Sequence, residues 1–308
     1  MKIALFYQPS PGTVGEYFHS ALVQAGQSVD HFALSDADQC SKEYDVYLRI
    51  DHGDYSQDLP ERFHPKAFYV VDTHLNRSWK NIRRVAPGYA VVFCVQKSAS
   101  QRLPRAHWVP LGCDPAIHGK TESTRKTDLA FVGNDGGVPR KFLLQELRER
   151  YPNSFIGQAP HTQMSRIYGQ SKIGFHYIEC TSPLKDHISM RAYEVLASGT
   201  MLMANALAAG TFESLGLRDR KELVVYHNPE ELFTLLDYYL KHDAEREQIA
   251  QAGERCVIQE HTYRQRVDKI VEILTEKLRH SRPRSVSRAG SSGNPILASA
   301  RMTEDKKR

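Results

Sequence analysis

The sequence predicts an α/β protein of two domains, each built on a parallel, doubly wound sheet. Short apolar runs bounded by polar or glycine-containing loops alternate with segments of helical period, which is the pattern of such sheets. A unit of strand, glycine loop and helix occurs twice, at residues 2–26 and 128–150. The length of 308 residues suits two domains of about 120 to 150 residues, each able to bury a core.

The first domain is predicted to span residues 1–117. Its predicted strands are Lys2–Tyr7, Val29–Ala33, Asp45–Ile50, Lys66–Val71, Ala90–Val95 and a last one within His107–Gly112. Asp72 and His74 directly follow one of these strands, so they belong to the carboxyl edge of the sheet, where open α/β sheets bind ligands. The alternative is that Asp-x-His is ordinary loop and helix-capping composition.

The first loop of this domain contains Gly12 and Gly15 and leads into a helix. Thr13 and Glu16 fit a capping box at the start of that helix. Exposed amides at the mouth of such a loop can receive a phosphate. A complete G-x-G-x-x-G fingerprint is absent, so a simple tight turn that feeds a helix is the alternative.

The second domain is predicted to span residues 126–261. It starts with a strand at 128–132, continues through Gly133, and enters a helix at Pro139 that carries Arg140 in its first turn, a candidate diphosphate ligand. His176, at the end of a later strand, fits a core aromatic better than a ligand. The further predicted strands are Ser154–Gly157, Lys172–Tyr177, Thr200–Ala204 and Glu222–Tyr226.

The most informative stretch is residues 186–200. A helix is predicted to begin at Ser189 and to stop at Gly199, with Arg191 and Glu194 in its first turns and a buried strand after it. This places Glu194 at the rim of a parallel sheet, where a carboxylate can accept hydrogen bonds from the two hydroxyls of a ribose, while Arg191 suits a phosphate. The alternative for Glu194 is a solvent-facing helical carboxylate.

Asp186 and Glu194 are eight positions apart, and this run resembles the E-x7-E signature of GT-B glycosyltransferases, with Asp in place of the first Glu. The chain most resembles the CgeB-like (spore-maturation type) glycosyltransferases, and the likeness extends to about residue 275. Five segments carry it in order: Asp72-Thr-His74, Val109-Pro-Leu-Gly-Cys-Asp114, Phe131-Val-Gly133 with Arg140, Arg191-Ala-Tyr-Glu194-Val-Leu-Ala-Ser-Gly199, and Glu260-His-Thr-Tyr-Arg264.

The resemblance implies a GT-B fold, in which two Rossmann-like domains face a cleft and a helix, here at 262–280, crosses back onto the N-terminal domain. It implies transfer of a sugar from a nucleotide sugar, with no bound metal and no other cofactor. The implied donor-binding residues are Gly12, Gly15, Gly133, Arg140, Arg191 and Glu194. Asp186 is expected to meet the sugar hydroxyls, and Asp72 or His74 to act as the base that an inverting reaction would need.

Charge and composition exclude several other classes of protein. Hydrophobic content of 41% is ordinary for a globular protein, and no apolar run approaches the about 18 residues of a membrane span. The net charge of +5 arises in residues 281–308, predicted to be a disordered basic tail, so nucleic acid is a disfavoured partner. The five scattered cysteines indicate free thiols. We therefore expect a cytoplasmic protein, with peripheral membrane attachment left open.

Two other functions fit the same pattern. One is a sugar-nucleotide epimerase on this fold, which would release free sugar without an acceptor. The other is a non-catalytic binding subunit, for which Asp at the first acidic position is the hint. The acceptor is not readable from the sequence, and a polysaccharide, a lipid, a protein and a small molecule all stay open.

Overall fold

The computed structural model describes residues 1–121 and 124–281 and contains two parallel sheets. The six strands of the first sheet are β1 (Lys2–Phe6), β2 (Ser28–Phe32), β3 (Val46–Ile50), β4 (Lys66–Val70), β5 (Val91–Cys94) and β6 (Ala106–Trp108). The five strands of the second are β7 (Thr127–Val132), β8 (Phe155–Gly157), β9 (Ser171–His176), β10 (Met201–Asn205) and β11 (Val224–Tyr226). The predicted tail at 281–308 lies, apart from its first residue, outside the described residues.

The first sheet has the strand order β2-β1-β3-β4-β5-β6 and the second β11-β10-β9-β7-β8. Every pairing is parallel; Leu5 of β1, for example, lies between His31 and Leu48. Strand β1 is buried on both faces, which explains why it reads as a continuous apolar run rather than an alternating one. The two doubly wound sheets confirm the predicted fold class.

Ten α-helices connect or flank these strands in the described part of the chain. They are α1 (Val14–Gln24), α2 (Asn76–Val85), α3 (Lys97–Ser100), α4 (Pro115–His118), α5 (Arg140–Arg150), α6 (His161–Gly169), α7 (Met190–Ala197), α8 (Pro229–Lys241), α9 (Asp243–Glu260) and α10 (Tyr263–Ser281). None of them is both long and apolar enough to cross a bilayer.

Helix α10 returns to the N-terminal domain, as predicted for a GT-B fold. Its first residue, Tyr263, stacks on Tyr17 of α1 with ring centroids 5.0 Å apart. Arg264 donates to the backbone carbonyl of Gln24 at 3.0 Å, and Lys269 donates to that of Trp108 at 3.2 Å. The last helix therefore ties the end of the second domain to the first.

The structure confirms the predicted end of α7 and contradicts the predicted cap at the start of α1. Helix α7 ends before Gly199, whose φ of +71° is the left-handed conformation predicted for it. The capping box predicted at the start of α1 is wrong, because the Thr13 side chain caps nothing and its hydroxyl donates back to the Ser10 carbonyl at 2.7 Å. Glu16 instead lies by the hydroxyl of Tyr7.

Candidate active site

The loop after β4 carries the predicted acid and imidazole of the N-terminal domain. Residues Asp72–His74 form one 3-10 turn there. Beside them Asp51, at the end of β3, is buried and accepts hydrogen bonds from the Tyr55 hydroxyl (2.9 Å) and the backbone N–H groups of Val71 (3.0 Å) and Asp72 (3.2 Å). Burial and the neighbouring Asp51 charge raise the pKa of Asp72 to about 7. Asp72 is therefore a carboxyl that changes protonation near neutral pH.

His74 joins the two domains rather than standing free in the cleft. Its ring stacks on His187, from the loop after β9, with centroids 3.7 Å apart and an interplanar angle of 11°. Its backbone carbonyl accepts hydrogen bonds from the N–H groups of Thr181 (3.0 Å) and Ser182 (2.8 Å). Burial lowers the pKa of His74 to about 4 and that of His187 well below its usual value. Both rings are thus neutral at pH 7.

Asp186 bonds to the N-terminal domain. Its carboxylate accepts hydrogen bonds from the side-chain amide of Gln96 (2.9 Å), the backbone N–H of Ser98 (2.8 Å) and the Ser98 hydroxyl. Gln96 is held in turn by the Thr73 hydroxyl. The predicted sugar contact therefore holds the loop at 177–189 onto the start of α3.

Glu194 lies in a buried network and not on a solvent-facing helix surface. Its side chain is 2% exposed. One oxygen accepts from Arg191 at 2.5 Å, and the other lies 3.3 Å from Nε2 of His118. Since Nδ1 of His118 accepts the N–H of Asp114 (3.1 Å), the ring proton belongs on Nε2, which also lies 3.1 Å from the Tyr17 hydroxyl. Both carboxylate oxygens of Glu194 therefore have partners.

Arg140, at the start of α5 after β7, and Arg191, at the start of α7 after β9, belong to the carboxyl ends of two neighbouring strands. Burial lowers the pKa of His176 to about 3, and the positive charges of Arg191 and Arg140 contribute to this shift. His176 Nε2 lies 2.6 Å from the Ser189 hydroxyl. Arg140 also donates to the carbonyl of Asp135 at 3.2 Å. We refer to Arg140, His176 and Arg191 as the basic group.

The three glycines predicted to bind the donor have different surroundings in the structure. Gly12, at φ +76°, approaches α6 so closely that a Cβ there would lie 2.7 Å from Cβ of His161. Gly15 packs against the ring of Tyr7. The N–H of Gly133 is already taken by the Gly157 carbonyl at 2.9 Å. Only the Gly12 loop thus spans the cleft towards the C-terminal domain.

A family model described as glycosyl transferase-like matches residues 118–272, which is half of the chain. The chain belongs to this glycosyl transferase-like family. The matched segment begins at His118 and contains the basic group, Asp186 and Glu194. A search of curated proteins finds no significant match.

Solved structures of the same fold are similar over most of this glycosyltransferase-like chain. A sucrose-phosphate synthase from Thermosynechococcus elongatus has a TM-score of 0.67 at 12% identity, covering 91% of this chain and 100% of its own. Anabaena HepE in complex with UDP-glucose has a TM-score of 0.62 at 11% identity, covering 90% and 100%. An α-glucosyltransferase in complex with UDP and a 13-mer DNA has a TM-score of 0.61 at 11% identity, covering 89% and 99%.

The structure adds residues that sequence analysis missed in this glycosyltransferase-like site. Asp51 follows β3 just as Asp72 follows β4, so the same strand-end rule could have found it. His118 and His187 carry no such signal, because their partners lie in other parts of the chain. Among residues 1–121 and 124–281, no cluster of three or more His, Cys, Asp or Glu side chains is arranged to hold a metal ion.

Proposed function

We propose that this protein transfers a sugar from a nucleotide sugar to an acceptor and that the basic group binds the donor diphosphate. The observation that carries the proposal is that Arg140, in the first turn of α5 after β7, and Arg191, in the first turn of α7 after β9, belong to the carboxyl ends of two neighbouring strands. Two guanidinium groups can bind a diphosphate in bidentate fashion. HepE and the α-glucosyltransferase, which have this fold, are complexes with UDP-glucose and UDP, and this supports a nucleotide sugar as the donor.

The chemistry required of the protein is stabilisation of the departing nucleoside diphosphate. Negative charge grows on the bridging oxygen as the glycosidic bond breaks, and fixed cations in a site of low dielectric offset that charge. Arg191 is fixed by Glu194 at 2.5 Å, which holds its guanidinium in place before the donor arrives. Independence from metal ions is part of the proposal, and we expect EDTA to leave the activity intact.

Ribose recognition by Glu194 is also part of the proposal, and it requires movement. The carboxylate is covered by Arg191 and His118, and Tyr17 of α1 lies beside His118. A ribose can reach the oxygen that faces His118 only when His118 withdraws, while Arg191 stays on the other oxygen. Because Tyr17 belongs to the N-terminal domain, opening of the domains would uncover Glu194, and closure after donor binding would complete the site.

Of the two candidate bases, Asp72 fits an inverting reaction better than His74. A base works best when its pKa is near the operating pH. The pKa of Asp72 is raised to about 7 and its carboxyl accepts no hydrogen bond from another described residue, whereas the pKa of His74 is lowered to about 4 and its ring stacks on His187. For that reaction we expect kcat/KM to fall below about pH 7 and the Asp72→Asn variant to lose at least about 100-fold in rate.

Three finer points stay within the proposal. Asp186 would face the donor sugar once the domains open, because it lines the cleft between them. Membership of the CgeB-like subgroup rests on the five ordered segments of the sequence. A hexose as the transferred sugar and a cytoplasmic location remain predictions.

The decisive experiment is calorimetric titration of UDP, GDP, dTDP and CMP into wild type, Arg140→Gln and Arg150→Gln. Both arginines are on α5, but Arg150 stacks on Phe233 away from the basic group, so it is the matched control. We expect one nucleotide to bind, with an affinity about 10- to 100-fold lower in Arg140→Gln and unchanged in Arg150→Gln. Equal affinity in all three proteins would contradict the proposed site.

Product analysis separates the alternatives. Release of free sugar from the donor without any acceptor favours the epimerase. Nucleotide binding with neither hydrolysis nor transfer across a broad acceptor panel favours a non-catalytic subunit. Transfer of the sugar to an acceptor, at a rate that EDTA does not change, supports the whole proposal.

A further inference from the structure

The cleft between the domains contains a cavity of about 560 Å³, and its walls contain none of the proposed nucleotide-binding residues. One wall is formed by α3 and β6 of the N-terminal domain. The other is formed by residues 183–188 and 208–215 of the C-terminal domain. Asp186 lies on this second wall, so the cavity adjoins the position proposed for the donor sugar.

The charged groups on these walls favour an anion. Lys97, Arg102 and Lys185 contribute three cations, and Asp186 is the one acid among the residues that line the cavity. That acid is engaged by hydrogen bonds from Gln96 and Ser98. Arg102 makes no ion pair with any residue in the described ranges 1–121 and 124–281, and the same holds for Lys97. Two cations are therefore available to a ligand.

The cavity also offers a flat apolar surface beside these cations. The Trp108 ring is fixed because its N–H donates to the Val95 carbonyl at 3.2 Å, and Lys97 Nζ lies 5.5 Å from the ring centroid. Pro110 and Ile188 add further apolar surface. A ring stacked on Trp108 would thus place an attached anionic group next to Lys97 and Arg102.

We propose that this cavity is the acceptor subsite and that the terminal unit of the acceptor carries a phosphate or another anionic group on a sugar or aromatic ring. This rests on the proposed function, in which Asp186 faces the donor sugar. The volume suits one or two rings rather than a wide polymer surface. A free sugar phosphate and the phosphorylated end of a larger molecule share this chemistry.

The test uses 4-nitrophenyl phosphate as the probe, followed by quenching of Trp fluorescence in the full chain. The chain has two tryptophans, and Trp79 is buried in the core of the first domain, so Trp108 is the one exposed to a ligand. Saturating nucleoside diphosphate is present throughout, so that the phosphate cannot enter the donor site. Neutral 4-nitrophenyl β-glucoside and inorganic phosphate are the matched ligands.

We expect 4-nitrophenyl phosphate to bind at least about tenfold more tightly than either matched ligand. The double variant Lys97→Gln/Arg102→Gln should lose about tenfold or more of this affinity. Lys221→Gln/Arg255→Gln removes the same charge from exposed positions outside the cavity and should bind like wild type. Equal binding of the neutral glucoside, or equal loss in both double variants, would overturn the proposal.

Two further arms separate this proposal from the proposed function. Nucleotide affinity in the Lys97→Gln/Arg102→Gln protein should be unchanged. If the wild-type protein binds nucleotide but not the probe, the acceptor subsite is wrong and the donor site stands. If inorganic phosphate competes as well as the probe, the ring-stacking element is wrong. Transfer to a glucose phosphate but not to a phosphorylated oligosaccharide or a polyprenyl phosphate would identify a free sugar phosphate as the source, and the reverse result would identify a larger acceptor.

Discussion

Two carboxylates eight positions apart, Asp186 and Glu194, have opposite surroundings in this structure. Glu194 is almost fully buried inside the C-terminal half of the cleft, with Arg191 and His118 as partners. Asp186 reaches across to the N-terminal domain and bonds to the start of α3. The eight-residue spacing between them thus predicted α7 and the loop before it correctly, but it does not give the two carboxylates the same role. One carboxylate holds Arg191 and His118, and the other joins the domains.

The largest effect on stability is expected from Glu194→Gln, which tests the buried carboxylate of this comparison. The amide keeps the shape but removes the charge that pairs with Arg191, so we expect a loss of about 2 to 4 kcal/mol in the free energy of unfolding and roughly 5 to 10 °C in Tm. Nucleotide affinity should fall roughly 10- to 150-fold. Differential scanning fluorimetry and calorimetry measure the two effects.

Glu254→Gln is the matched control for that variant. Glu254 pairs with Lys120 at 3.8 Å, and its side chain is 25% exposed rather than buried. The control should change stability by less than about 1 kcal/mol. If Glu194→Gln proves no less stable than this control, the buried pair of Glu194 and Arg191 contributes no more to stability than a half-exposed pair does.

Much of the fold was predictable, because it depends on patterns local in sequence. Apolar runs such as β1 predicted parallel strands, and Gly199 predicted the end of α7. The partners of the site residues were not predictable in the same way. Ser98 and Asp186 are 88 positions apart, and His74 meets His187 only because the domains face each other. Such contacts are set by the placement of one domain on the other, for which no local pattern exists.

Asp72→Asn tests the acidic side of the domain junction and should increase stability. The folded pKa of about 7 lies above the usual 3.8, so the folded protein holds a proton that the unfolded chain releases, and wild-type stability falls as pH rises from about 4 to 7. Asn removes the repulsion from Asp51, and the variant should be about 1 to 3 kcal/mol more stable at pH 8. Its advantage should nearly vanish at pH 4.

Urea unfolding at pH 4, 6 and 8 measures this dependence, with exposed Glu61→Gln as the control. A gain that is the same at all three values would show that Asp72 is not protonated near neutral pH. A gain in stability accompanied by lost turnover would assign a functional cost to the Asp51 and Asp72 pair.

His187→Phe tests the stack that joins the domains beside Asp186. Burial and the neighbouring imidazoles hold the pKa of His187 well below 6.5 in the folded protein. The unfolded chain therefore takes up a proton first as pH falls below 6.5, and stability is lost on that side. Phe keeps the ring stacked on His74 but cannot be protonated. The variant should lose less stability on acidification, by up to about 1.4 kcal/mol per pH unit.

The measurement is the urea midpoint between pH 7.5 and 5.0, with His52→Asn as the exposed control. Parallel curves for wild type and His187→Phe would rule out His187 as a source of acid sensitivity. Acid sensitivity that persists in His187→Phe would point to His74 or His176, whose pKa values burial also lowers.

The smallest effect on stability is expected from Asp186→Asn, which tests the carboxylate that joins the domains. With its oxygen in the Oδ2 position, Asn still accepts the Ser98 N–H, but its NH2 group then meets the Gln96 amide, which the Thr73 hydroxyl holds in place. We expect a loss of about 1 kcal/mol in the free energy of unfolding, while exposed Asp38→Asn, which breaks the surface pair with Arg62, should cost less.

Nucleotide affinity of Asp186→Asn should stay at the wild-type value, because no partner of Asp186 belongs to the basic group. Turnover with the intact donor should fall if the carboxylate meets the sugar after the domains open. Calorimetry with the nucleoside diphosphate decides the matter: a loss of affinity equal to that of Glu194→Gln would mean that both carboxylates serve the nucleotide, and the division between a donor-ordering and a domain-joining acid would be wrong.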